Sequence, residues 1–325
     1  MKGPGVSYRV PFFRPLPVPV ASRPSLLCWL VGLTFLWAGG CMRESSIPIT
    51  APSADTTTTD ALGRTVAFAH PPSRVLTLAP NLTEIVFAVG AADRLVGASP
   101  SDNYPPSVQA LPRFSTFPLD RERVVALAPD LVLATDQVNG TADADALLGF
   151  DIPTYFFSFL TLDDIPRAMT TAAGLLGTRA DSAVHAFEEQ IERVKRSVAG
   201  AARPRVLLLI GDEVPYAFGR DSYASEMVRA AGGGNLTDAF DGQAALPNDE
   251  FVLTQAPEVI IVLVGERYDP ARLVEYHPAW ASLPAVRNGR VFGVDADLVS
   301  RPGPRVASGL ERIAALLHPD RFTAQ

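Results

Sequence analysis

Two glutamates are the first residues whose type and spacing point to chemistry. Glu122 and Glu250 each stand seven residues before a proline, Pro129 and Pro257, that is followed by an acid and an apolar run. Each is therefore placed at the start of a helix that leads into a strand, where a negative charge also suits the helix dipole. A carboxylate held there in solvent can pair with a cation on a partner. At roughly 0–1 kcal/mol per exposed pair, it guides encounter and register more than it binds. An ordinary helix-start glutamate is the plainer alternative, but the offset recurs in both halves. Reactive side chains of other kinds are sparse. His70, His185, His277 and His318 are scattered and no two have metal-ligand spacing; Cys28 and Cys41 are the only cysteines. Asp163-Asp164 and Glu188-Glu189 fall on helical stretches whose solvated faces explain them. No Gly-x-Ser-x-Gly, His-Glu-x-x-His or Gly-x-Gly-x-x-Gly occurs in a chemical context. Gly232-Gly233-Gly234 lacks the lysine and hydroxyl of a phosphate loop and reads as a tight turn after a helix. The chain is expected not to be an enzyme and to hold no cofactor or metal of its own.

The elements that position these residues alternate. Val75–Leu78, Leu95–Ala98, Asp130–Ala134 and Pro153–Phe157 are short apolar runs separated by helical stretches, the first helix opening near Pro80 and ending at Gly90. Strands alternating with helices predict a parallel α/β sheet. Leu162, Ile165, Met169, Ala172 and Leu176 then share a face until Gly177. Ala183, Phe187, Ile191, Val194 and Val198 form an amphipathic helix about 30 Å long from Arg179, enough to brace two lobes. A second set follows, with strands at Arg205–Ile210, Val259–Leu263 and Arg290–Val294 and helices near 222–231 and 304–317. The phrase Val125-Ala126-Leu127-Ala128-Pro129-Asp130-Leu131 is echoed by Leu253-Thr254-Gln255-Ala256-Pro257-Glu258-Val259. Two similar lobes would produce that echo, and so would generic helix-proline-strand punctuation. The expected organisation is α/β: two Rossmann-like lobes with parallel sheets, residues 61–160 and 203–325, bridged by a single long helix within 161–202.

The amino end is an address. Residues 1–40 carry Lys2, Arg9, Arg14 and Arg23 and no acid, then an apolar run from Leu26 to Trp37, then Ala38-Gly39-Gly40-Cys41. Basic, apolar, then small is the layout of a secretory signal, and the run falls short of the roughly 20 apolar residues of a comfortable membrane span. Its end resembles a bacterial lipobox with Ala38 in place of the usual leucine. The resemblance implies cleavage before Cys41 and lipidation of its sulfur; an uncleaved anchor helix is the alternative, and either places the body outside the cytoplasm. Residues 41–60 read as a flexible tether with a coil dimension on the order of 25 Å. With the first 40 residues removed, a net charge of −7 becomes −11, which opposes any nucleic-acid partner.

Several phrases in the body, in this order and spacing, resemble the helical-backbone periplasmic binding proteins that serve ABC importers of vitamin B12, ferric siderophores and haem. They are Arg74–Ile85, Arg94–Gly97, Asp102–Pro106, Glu122–Val132, Ala231–Asn235, Arg287–Val291 and Arg301–Arg305. The resemblance covers about residues 62–320. It implies a rigid bridge, modest closure on binding, and a cleft built from loops at the strand ends. In the first lobe it points to Pro80, Asn81, Asn103, Tyr104, Thr116, Phe117, Gln137 and Asn139 as ligand contacts. In the second it points to Glu213, Pro215, Tyr216, Phe218, Leu298 and Arg301. Aromatic faces with a few polar groups suit a large, flat metal chelate, a corrinoid first and a siderophore or haem as the alternative. Ala244 and Leu298 replace tryptophans of the B12-binding relatives. The resemblance also makes Glu122 and Glu250 contacts for arginines of a permease dimer that works with an ATPase.

Overall fold

The computed structural model describes residues 56–69 and 71–322. The first lobe opens with an antiparallel hairpin, β1 (Thr56–Thr59) and β2 (Thr65–Phe68). The buried Asp60 carboxylate makes its turn, accepting the amides of Leu62 and Arg64 at 3.0 and 2.9 Å and the Arg64 guanidinium at 3.0 Å. Residues 56–60, expected to be tether, are thus folded. Low apolar content concealed that β-branched threonines pair well in strands. Then come β3 (Val75–Thr77), α1 (Pro80–Ala88), α2 (Arg121–Ala126), β4 (Leu131–Thr135), α3 (Thr141–Leu148) and β5 (Thr154–Phe157). β3, β4 and β5 form a parallel sheet in that order. The expected strand at Leu95–Ala98 is reduced to single bridges, Val75 with Leu95 and Ala98 with Arg113. Gly97 lies so close over the core there that a Cβ would meet Leu127 and Leu76 at 2.9 Å. No side chain caps α1: Ala79 is its N-cap, Pro80 supplies the pre-set first turn, and the Thr83 hydroxyl bonds that of Thr77.

α4 (Asp164–Leu175) and α5 (Asp181–Ser197) follow, separated by Gly177 at φ 61°. The second lobe contains β6 (Arg205–Leu209), β7 (Ala217–Phe218), α6 (Tyr223–Ala230), β8 (Gly234–Asn235), β9 (Ala244–Ala245), α7 (Asp249–Gln255), β10 (Val259–Leu263), α8 (Ala271–Tyr276), α9 (Pro284–Arg287), β11 (Val291–Val294), α10 (Ala296–Val299) and α11 (Val306–Leu317). Its sheet runs β11-β10-β6-β7-β9, with β8 also on β6. β11, β10, β6 and β8 are parallel; β7 runs antiparallel to β6, because the chain leaving β6 folds straight back on it, and β9 runs antiparallel to β7.

Alternation along the strands sorts the core. Leu131 and Leu133 of β4, Val206 and Leu208 of β6, and Val259 and Ile261 of β10 join one hydrophobic core with Phe187, Ile191 and Val194 of α5. The intervening residues belong to a private core in each lobe, Val132 and Ala134 in the first, Leu207, Ile260 and Val262 in the second. α5 packs on α4, α6 and α11, so the brace is cemented into both lobes.

The echoed phrase is one device built twice. α2 and α7 are capped by Asp120 and Asn248, which accept the amides of Arg123 and Phe251 at 3.0 and 2.8 Å. The alanine before each proline, Ala128 and Ala256, lies in the left-handed region at φ 45°. Asp130 then accepts the Arg74 amide and Glu258 the Arg205 amide, both at 2.9 Å. Arg74 returns its side chain to the Leu127 and Ala128 carbonyls, as Arg205 does to those of Gln255 and Ala256. The triple glycine is the tight turn expected: Gly232 has φ +81°, and a Cβ on Gly233 would strike Leu317 and Val206 at 2.9 Å.

Candidate functional site

Parallel strands end on one edge of each sheet, and the loops leaving that edge are where such folds place ligands. Pro80 and Asn81 follow β3 and begin α1. Gln137 and Asn139 follow β4, Glu213, Pro215 and Tyr216 follow β6, and Leu298 and Arg301 follow β11. Asn103, Tyr104, Thr116 and Phe117 lie on the long connection between α1 and α2. Ala217 pairs with Ala245, so Tyr216 and Leu246 adjoin the same end of that short ladder.

Several of these residues meet across the two lobes. Arg301 donates to the Asn103 side chain at 2.7 Å and the Ser101 carbonyl at 3.1 Å, and pairs with Asp297 at 2.8 Å. Asn103 donates in turn to Asp297 at 2.7 Å. Asn81, buried, donates to the Pro302 carbonyl at 3.2 Å. Gln137 reaches Gln243 at 3.2 Å, and also bonds the Phe159 carbonyl at 2.7 Å. Tyr104 lies beneath the Arg305 guanidinium, 4.5 Å from ring centre to carbon. Phe117 is 68% exposed, and Thr116 makes a single bridge to Leu119. Other candidates are turned to structural tasks. Asn139 is buried and accepts the Thr135 amide; Phe218 packs against Tyr223, 6.1 Å between rings; Leu298 leans on the shared core. Glu213 is exposed.

Sequence reasoning missed the centre of this seam. Glu84 is buried and accepts two hydrogen bonds from Arg305, at 2.9 and 2.6 Å, with Arg301 at 3.7 Å. That hydrogen bonding raises the Arg305 pKa above its ordinary value. The partners stand 221 residues apart, beyond the reach of any periodicity. Also missed were Val138, Leu160, Val214 and Leu246, large apolar side chains left exposed on strand-end loops of both lobes. Apolar residues exposed in loops rather than buried in elements would have been the signal. Glu122 and Glu250 are exposed at the second position of α2 and α7. A concavity of about 450 Å³ lined by Asp120, Arg121, Glu122 and Asp143 lies beside the first of them. Among the described residues no group of three or more His, Cys, Asp or Glu could hold a metal ion, and no helix is long and apolar enough to cross a membrane.

The family described as periplasmic binding protein matches residues 75–298. The chain belongs to that family. This periplasmic binding protein is 28% identical to the uncharacterized ABC transporter substrate-binding lipoprotein YvrC of Bacillus subtilis, over 81% of this chain and 85% of the relative. It is 30% identical to the vitamin B12-binding protein of Pectobacterium carotovorum, over 78% and 91%. The crystal structure of the periplasmic vitamin B12 binding protein BtuF of Vibrio cholerae superposes with a TM-score of 0.68 at 25% identity, covering 77% of this chain and 98% of that one. The periplasmic binding protein described here is accordingly a substrate-binding protein of an ABC importer, with the two-lobed α/β fold expected from its sequence.

Proposed function

We propose that this substrate-binding protein captures cobalamin or a related corrinoid outside the cytoplasm and hands it to an ABC permease dimer with its ATPase. The observation that carries the reading is the set of large apolar side chains left in solvent on loops of both lobes: Val138, Leu160, Val214 and Leu246 beyond strand ends, and Tyr104 and Phe117 on the connection between α1 and α2. A broad, flat, partly apolar cargo is what would cover them. The relationship to vitamin B12-binding proteins supports it. Titrating the lipid-free protein with cyanocobalamin, haemin and ferric hydroxamates, followed by absorbance, tests it. Saturable binding of cyanocobalamin alone is expected, and its absence refutes the corrinoid assignment. A ferric siderophore or haem is the second reading. It is favoured by Ala244 and Leu298, which offer no aromatic face and of which Leu298 is committed to the core.

The docking role of Glu122 and Glu250 is part of the same proposal. Their equivalent, exposed positions on two helices that are each capped by a side-chain oxygen support it. Attachment to the membrane through Cys41, which lies outside the described residues with the signal segment and most of the tether, completes it. Incorporation of labelled palmitate that is lost in Cys41→Ser is the expected result.

A further inference from the structure

The seam between the lobes does more than join them. The Glu84 carboxylate engages Arg305 through Nε and one terminal nitrogen, at 2.9 and 2.6 Å. Such a pairing uses the in-plane edge of the guanidinium and leaves its flat faces free. The Tyr104 ring takes one, 4.5 Å away. Glu84 is on α1 of the first lobe, Arg305 immediately precedes α11 of the second, and Tyr104 returns to the first. The neighbouring Arg301 holds the same loop by Ser101 and Asn103. The lobes therefore shape one wall jointly: the second supplies the cation under a ring that the first presents, and Tyr104 as a residue remains 46% exposed. Charge is also balanced. Arg301 and Arg305 face Glu84 and Asp297, so this cluster leaves no spare cation for an anionic cargo.

We propose that Arg305, locked by Glu84, is a positioning residue that fixes the Tyr104 ring as a wall of the ligand cleft and selects for an uncharged, flat ring system there. The inference rests on the reading of Tyr104 as a cleft residue. A cation under one face draws ring electron density toward it, so the outer face repels cations and accepts a neutral conjugated surface.

A double-mutant cycle tests it. Dissociation constants for cyanocobalamin are measured for the mature protein, Arg305→Met, Tyr104→Ala and the double variant. Each single change is expected to weaken binding by roughly tenfold, and the double variant to bind no more weakly than Tyr104→Ala. Tyr104→Phe, which keeps the ring, is expected to bind normally and to remain sensitive to Arg305→Met. Losses that simply multiply overturn the proposal. A ligand-free arm keeps it distinct from the identity of the cargo: in Tyr104→Trp, adding Arg305→Met should shift the tryptophan emission as the ring loses its partner, and unchanged emission overturns the contact. Failure of the unaltered protein to bind cyanocobalamin defeats the corrinoid reading alone, and the cycle is then run with haemin. Arg305→Lys, which keeps charge but not the planar stack, replaces Arg305→Met if that variant does not fold. Haemin binding more tightly than a neutral porphyrin ester would overturn the selection for uncharged cargo.

Discussion

Ala128 and Ala256 are held at φ 45°, a region that costs an L-residue about 1–2 kcal/mol and a glycine almost nothing. Replacing either by glycine is expected to stabilise the protein by up to about 1 kcal/mol, after the extra freedom glycine gains in the unfolded chain. Urea unfolding of the two variants checks this, and a loss of stability in both contradicts it. His318 gives a pH-dependent case. Burial lowers its pKa from 6.5, with Arg290 and Arg321 adding to the effect. Between the native and unfolded values the unfolded chain binds the extra proton, so native stability falls as pH drops through about 6.5. His318→Gln is expected to remove part of the decline in unfolding free energy between pH 7.5 and 5.5; an unchanged slope refutes the assignment. At this level the sequence was least readable. It marked Asn139 and Phe218 by position, yet only packing shows that one is buried on its own loop and the other set against Tyr223. Glu84 and Arg305 stood inside recognisable phrases, but nothing local states that they pair.

Helices and long strands were readable because burial imposes a period on them. Phe187, Ile191 and Val194 mark the buried face of α5, and the uninterrupted burial of β4 and β10 follows from helices on both sides of a parallel sheet. The two-residue strands β7, β8 and β9 carry no such pattern; partners brought by the fold define them. Contact between elements also sets which substitutions are tolerated. In Gly309→Ala the new methyl would fall 2.3 Å from the Leu298 carbonyl oxygen, a backbone atom that cannot yield. α10 would have to leave α11, at a cost of roughly 2–3 kcal/mol. The segment from Leu298 to Arg301 would move with it, so cyanocobalamin affinity is expected to fall together with the melting temperature. Normal affinity in a destabilised variant would show that segment to be independent of the packing.

The lobes draw on a common core that runs through α4 and α5. Calorimetry of the mature protein is therefore expected to show one cooperative transition rather than two, and small-angle scattering to show little change in size on adding cargo. Two separable transitions would mean that the brace does not couple the lobes. For the assembled importer, changing both Glu122 and Glu250 to alanine is expected to leave cargo affinity intact and to abolish stimulated ATP hydrolysis in proteoliposomes. Stimulation at the original level removes the docking assignment. The two-lobed plan was visible in the sequence because an echoed phrase, two strand-helix runs and a long amphipathic stretch agree.

The doubled cap has a consequence for delivery. With one carboxylate on each of two helices built to the same plan, a receptor that docks through both would present two like contacts, one from each lobe. A dimeric channel offers two like partners in turn. If those carboxylates are the contacts, a receptor turned by half a revolution exchanges one for the other, so either landing orientation is productive and the cargo stays centred over the entrance.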